Sequence, residues 1–414
     1  LKGAQGERAS RYLEAALDHQ EAGYLNDQAL ALAERALNAP GILAGRERFE
    51  ILGRQFTWQD RLGRREAQAK VLAEAREVAG AIDDPALLLE VEMMQGVLAF
   101  STGNGDLASE CYTAALDLAR TVGDRPREAI AVGNLGNVFL HLGRFAEAQE
   151  HYERALAILQ DVGDRRRVGQ ITGNLGTVLV SLNRYEEARA HYETARSIAR
   201  EVGSRESEGF ATGNLGIVSQ RLGRFTEAQA YYEDALTIAR QIGHRTLEAS
   251  NTLRLGSVSA HLGQLDDAEA QFRQALALDR EAENRRGESH ATGGLAQVAA
   301  ALGRYEEALA HSASCLDVAG TIEDRGTESG ALRVLGSVLL ALGRREEAEA
   351  QLERSLTLSR TLGDREGEGF TLVRQAHAAN EADRIPEALE LAGQALDLLR
   401  GIGHEAGVAE ALLR

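Results

Sequence analysis

One interval governs this chain. The residue that closes a turn returns every 40 positions, at Gly23, Gly63, Gly103, Gly143, Asn183, Gly223, Gly263, Gly303, Gly343 and Asp383. A fixed period of about 40 marks a stack of supersecondary units, each leaving an apolar face that only its neighbours can cover. The expected product is a solenoid whose function lies on a surface shared by many repeats.

The unit from Asp124 to Gly163 shows what is repeated. Apolar or small residues recur at Ala131, Leu135, Val138, Phe139 and Leu142, then at Phe145, Ala148, Tyr152, Ala155, Leu156 and Leu159. These are helical spacings of three and four. Gly143 separates the two runs, and glycine just past a helix end takes a positive φ without steric cost; Asn183 in the same column suits that turn as well. A second break falls at Gly123-Asp124, Gly163-Asp164, Gly243-His244 and Gly363-Asp364, where glycine ends one helix and a short polar side chain caps the next. Asp84-Pro85 does the same, with proline at a helix start. With two antiparallel helices of roughly 17 to 18 residues per unit and no alternating strand pattern, the chain is expected to be all-α, with about ten units.

Leu135, Gly136 and Phe139, followed by Ala148, Tyr152 and Ala155, resemble the tetratricopeptide (TPR) helix pair. The match repeats at Leu175, Gly176, Ala188, Tyr192 and Ala195, at Leu215, Gly216, Ala228, Tyr232 and Ala235, and at Leu255, Gly256, Ala268, Phe272 and Ala275. Two departures stand out. Val132, Thr172, Thr212, Thr252 and Thr292 replace the family's early aromatic, and the closing proline is missing, so the second helix runs on. The longer unit is similar to the repeats of Pins-type polarity scaffolds, kinesin light chain and many bacterial regulators. The resemblance covers residues 84–403 and, more weakly, 1–83; residues 47–58 resemble the start of TPR arrays appended to bacterial signalling ATPases and kinases. It implies a right-handed α-solenoid, a superhelix of about ten helix-turn-helix repeats, that binds a protein segment.

The expected organisation is 1–83 as divergent N-terminal repeats, 84–283 as regular repeats, 284–403 as repeats that drift again, and 404–414 as the first helix of a further repeat. The chain opens at Leu1 without methionine and closes on EAGVAEALLR, which reads as a fragment of a longer polypeptide whose open last helix invites self-association.

Composition narrows the function. A net charge of −17 argues against nucleic acid, whose phosphates need a basic footprint. Of 46 basic residues only Lys2 and Lys70 are lysines, an arginine bias that fits a bacterial genome rich in G and C. Cys111 and Cys315 lie too many repeats apart to pair, which favours a cytoplasmic home. No apolar run spans a bilayer.

The resemblance places a ligand on the first helices, which line the concave face of TPR stacks. Flanking the Leu-Gly pair, Asn134, Asn174, Asn214, Arg254 and Arg374 occupy one column, and Asn137, Thr177, Ser257 and Gln297 another. Asparagine carries an acceptor and two donors, so a ladder of them can pair with the backbone of an extended peptide. The alternative is that they bond neighbouring helices or water. Arg221, Arg254, Arg333 and Arg374 add positive charge, which raises an acidic partner against the default of solvated or salt-bridged arginines. Gly103-Asn104-Gly105 imitates a dinucleotide fingerprint without a preceding strand, and His151, His191 and His311 recur a repeat apart, too far for one metal. Trp58 and Tyr231-Tyr232 read as packing. No catalytic residue, cofactor or metal is expected. The leading reading is a peptide- or protein-binding module, the sensor or scaffold part of a larger bacterial signalling protein; the alternatives are a small-molecule or peptide-pheromone sensor regulating an attached domain, and a structural spacer.

Overall fold

The structure, a computed structural model, describes residues 7–22, 26–39, 41–402 and 407–408. They form twenty helices and no strand, in two compact units that divide between Val202 and Gly203. The first unit holds α1 (Glu7–Ala22), α2 (Asn26–Leu37), α3 (Gly45–Arg61), α4 (Arg65–Ile82), α5 (Pro85–Ser101), α6 (Gly105–Val122), α7 (Arg125–His141), α8 (Phe145–Val162), α9 (Arg165–Ser181) and α10 (Tyr185–Glu201). The second holds α11 (Arg205–Arg221), α12 (Phe225–Ile242), α13 (Arg245–His261), α14 (Leu265–Glu281), α15 (Arg285–Ala301), α16 (Tyr305–Thr321), α17 (Arg325–Ala341), α18 (Arg345–Leu362), α19 (Arg365–Glu381) and α20 (Ile385–Gly401). Odd-numbered helices are the first, and even-numbered the second, of each pair. The turn expected at Gly23 and the helix expected over 404–414 lie outside the described residues, apart from Gly407 and Val408.

The helix ends obey the punctuation. Asp124 opens α7 by accepting the Arg127 amide at 3.0 Å, and Asp84, Asp164, His244 and Asp364 cap their helices in the same way. At the other end of α7 the Arg144 amide donates to the Phe139 carbonyl at 2.8 Å while Gly143 holds φ 71°, a left-handed closure that satisfies otherwise orphaned carbonyls. Asn183 at φ 58° and Asp383 at φ 60° hold the same conformation with short polar side chains.

From α5 onward, close packing inside each pair involves one small residue in the first helix. A Cβ on Gly136 would sit 2.6 Å from the Tyr152 ring, and one on Gly216 would sit 2.5 Å from the ring of Tyr232. The ring of the second helix lies directly on the backbone of the first, and both tyrosines are fully buried. Each such ring contributes roughly 2–3 kcal/mol by leaving water. Where a small residue replaces the ring the glycine becomes alanine, as at Ala296 with Ser312 and Ala376 with Ala392, whereas Gly336 stays opposite Leu352, whose side chain would lie 2.7 Å from a Cβ there. The four threonines in the family's aromatic position are also buried, and each hydroxyl donates to the carbonyl one turn earlier, as Thr212 does to Glu208 at 2.7 Å.

Successive pairs are joined by a charged clamp. Glu128 is buried between Arg120 at 3.1 Å and Arg125 at 2.6 Å; Glu248 lies between Arg240 and Arg245, and Glu288 between Arg280 and Arg285. A carboxylate in that position needs its partners, because an unpaired buried charge would be costly. Many of the arginines are thus part of the frame. Val168 replaces the glutamate in one repeat, and Arg165 turns instead to Glu201.

The side on which the first helices lie follows from the packing. In the second unit α11 touches α13, α13 touches α15, α15 touches α17 and α17 touches α19, and no two second helices come into comparable contact among the described residues. In the first unit α3 touches α5 with the same asymmetry. Elements that crowd together occupy the inside of a bend, so in each unit the first helices face inward.

Candidate inner-face binding site

In the first unit the inner slots of α7 and α9 form a hydrogen-bonded row. Tyr152, reaching from α8 past Gly136, donates its hydroxyl to Asn137 Oδ1 at 2.6 Å, and Asn174 Nδ2 donates to the same oxygen at 3.2 Å. Asn137 Nδ2 points at Asn134 Oδ1, 3.5 Å away. In the next pair Thr177 meets the Tyr192 hydroxyl at 3.0 Å. Burial pushes the Tyr152 phenol well above its ordinary range, so it stays a neutral donor. After these bonds Asn134 keeps a free Nδ2 donor and Asn174 a free Oδ1 acceptor among the described residues, on adjacent first helices and half-buried. One donor and one acceptor are what an extended peptide backbone asks for.

The second unit fills the same slots with different chemistry. Ile217 replaces the polar residue beside Tyr232, and its hydroxyl donates instead to Gln220 at 3.1 Å, whose Nε2 lies 3.4 Å from Ser257. Burial raises the Tyr232 phenol to about 12, and the Arg254 guanidinium beside it, with Arg221 nearby, works against that rise. Arg333 lies over the Phe370 ring with its guanidinium carbon 5.6 Å from the centroid, a cation–π contact. Arg221 ends α11 in the open and pairs with Glu366 of α19 at 3.3 Å. Arg374 and Asn214 are half-buried, and Gln297 is exposed.

All eleven residues singled out in the sequence therefore lie on first helices, four in the first unit and seven in the second. The structure joins Asn134, Asn137 and Asn174 into one network, and brings Ser257 and Arg254 to the surroundings of Tyr232. Sequence reasoning missed the tyrosine hydroxyls, Gln220, Phe370 and Glu366. The tyrosine column carried a signal: it keeps a hydroxyl at 152, 192 and 232 and loses it at Phe272.

Other candidates resolve into packing or turns. Asn104 caps α6 by accepting the Leu107 amide, and Gly103 holds φ 79° in the turn column. Trp58 is buried in a core with Leu17, Leu30 and Ile51. Both cysteines are buried free thiols, and burial with the nearby Glu92 raises Cys111 to about 11, which leaves it poorly nucleophilic. No described helix is long and apolar enough to cross a membrane.

The sequence matches the tetratricopeptide repeat family over residues 88–161, 167–241, 247–320 and 327–401, more than half of the chain. No curated protein sequence matches it. Among solved structures it is similar to a Rap protein complexed with competence and sporulation factor, at 17% identity and TM-score 0.60, covering 86% of this chain and 99% of that one. It is also similar to the apo form of the quorum sensor NprR from B. thuringiensis, at 16% identity and TM-score 0.61, covering 84% and 97%. A Rap conjugation gene regulator in complex with a peptide matches at 16% identity and TM-score 0.58, covering 87% and 97%. At these identities the likeness concerns the fold.

Proposed function

The chain belongs to the tetratricopeptide repeat family, and from that premise we propose that it is an interaction module that holds an extended peptide, or an extended segment of a partner protein, against the inward-facing first helices. The observation that carries this reading is the unspent Asn134 donor and Asn174 acceptor, presented side by side over a row that Tyr152 holds rigid. The second unit offers polar groups of its own on its first helices, at Asn214, Ser257 and Gln297, together with arginines. The module does no chemistry of its own. It acts as the sensor or scaffold part of a larger bacterial signalling protein in the cytoplasm.

The likeness to a quorum sensor and to a Rap protein bound to a peptide supports a narrower version, in which the ligand is a short signalling peptide and binding regulates an attached effector. A displayed library of random dodecapeptides, panned against the protein, tests the reading. Binders are expected whose affinity falls by about 1 kcal/mol per lost hydrogen-bond pair when Asn134, Asn174 and Asn214 become alanine. Binders that ignore the triple variant would place the site elsewhere.

A further inference from the structure

Arg221 is the last residue of α11 and Glu366 the second of α19, 145 positions apart, and their side chains meet at 3.3 Å. Three first helices lie between them in the array, α13, α15 and α17, each in contact with the next. A side-chain contact that skips three helices can form only where the bend brings the two ends of the row toward each other, on the inner side. The ion pair therefore bridges the groove of the second unit.

The helices that it spans carry Arg254 and Arg333, and Arg374 lies two turns beyond Glu366 on α19. In a chain of net charge −17 this row gathers three arginines, and Glu366 is a carboxylate of the protein's own set against the Arg221 guanidinium at its edge. Both partners are about half exposed, at 54% and 43%. An ion pair so placed is weak and screened by salt, so a second carboxylate can replace Glu366 at small cost.

We propose that Arg221–Glu366 is a displaceable latch across this groove, and that the groove takes an acidic stretch of an extended peptide. A ligand carboxylate replaces Glu366 on Arg221, the bridge opens, and further carboxylates of the ligand run along Arg254, Arg333 and Arg374. The proposal rests on the peptide-binding reading above and adds to it the charge of the partner and the contact that the partner must break.

The probe is a fluorescein-labelled peptide of alternating glutamate and glycine, with a glutamine–glycine peptide as control, followed by anisotropy. Wild type is expected to bind the acidic peptide at least ~10-fold more tightly than the control, with affinity falling as salt rises. Glu366→Gln should tighten acidic binding by ~3- to 10-fold, because the internal competitor is gone, and Arg221→Gln should weaken it by a similar factor. Combining the two changes should leave no gain over Arg221→Gln alone. Equal binding of both peptides, no binding of the acidic peptide to wild type and Glu366→Gln alike, or unchanged affinity in Glu366→Gln would each overturn the latch. Display-selected peptides that still depend on Asn134, Asn174 and Asn214 would then leave the broader reading standing, whereas their loss of dependence would sink that reading by itself.

Discussion

The inner slots of α7 and α9 are neutral and tied to tyrosine hydroxyls, while the slot of Asn134 and Asn174 carries arginine at Arg254 of α13 and Arg374 of α19, and Arg333 of α17 stands one residue before it. The pairs begun by α7, α9 and α13 share one frame, a ring of the second helix pressed on a glycine of the first, whereas α17 sets Gly336 against Leu352 and α19 has Ala376 in a repeat with Ala392. The comparison shows that frame and face are separable. Ring and glycine hold the pair together, so the flanking slots are left free to change from amide to guanidinium. A row of amides in the first unit and arginines in the second follow from substitutions that, between α9 and α13, leave ring and glycine in place.

The largest effect should come from attacking what the regions share. Gly136→Ala and Gly216→Ala each force a Cβ into a tyrosine ring, and each should cost about 2–3 kcal/mol in urea unfolding, by overpacking. The two costs should agree, since the mechanism is the same; a gap of more than about 1 kcal/mol would break the claim of a common frame. Ala296→Gly, where Ser312 has replaced the ring, should cost about 1 kcal/mol for a glycine inside a helix and about 0.8 kcal/mol for the buried methyl group that is lost.

Next come changes that separate the faces. Arg254→Gln with Arg374→Gln should lower affinity for the acidic peptide about 10-fold, close to 1.4 kcal/mol, and flatten its salt dependence. Asn134→Ala with Asn174→Ala should leave that affinity alone; titrations over a range of salt separate the two results.

Asn137→Ala removes the acceptor of a buried tyrosine hydroxyl and should lower stability by about 1 kcal/mol. Adding Tyr152→Phe should restore most of it, because both polar groups are then gone. Failure of the double variant to recover would mean that Asn137 stabilises through another contact.

The smallest effect concerns a second-helix position that is apolar at Ala119, Leu159 and Ala199 in the first unit and at Ala239 and Ala319 in the second, but is Asp279 in one repeat of the second. Burial raises the Asp279 carboxyl against a bond from Asn284 at 2.7 Å. A raised carboxyl penalises the folded state when ionised and not when protonated in both states. Asp279→Ala should therefore gain somewhat under ~1 kcal/mol at neutral pH, and the gain should vanish as pH falls below the ordinary carboxylate range. Melting curves of both proteins at neutral and acid pH measure it, and a gain that persists in acid would show that packing, not charge, is the cause.

The sequence alone determined the frame. Its interval of 40, the glycine and asparagine that must take positive φ, and the caps at Asp84, Asp124 and Asp164 are local requirements, and local requirements are legible residue by residue. The two columns beside the Leu-Gly pair were also legible, because the repeat projects each column onto one face. What the slots do was not. Whether Asn137 spends its oxygen on Tyr152 or on a ligand depends on a ring from the following helix, and whether Arg221 finds a carboxylate depends on a helix 145 residues later. Periodicity says which way a side chain points from its own helix. Only the packing of pair on pair, and the bend that accumulates from it, decides what it meets there.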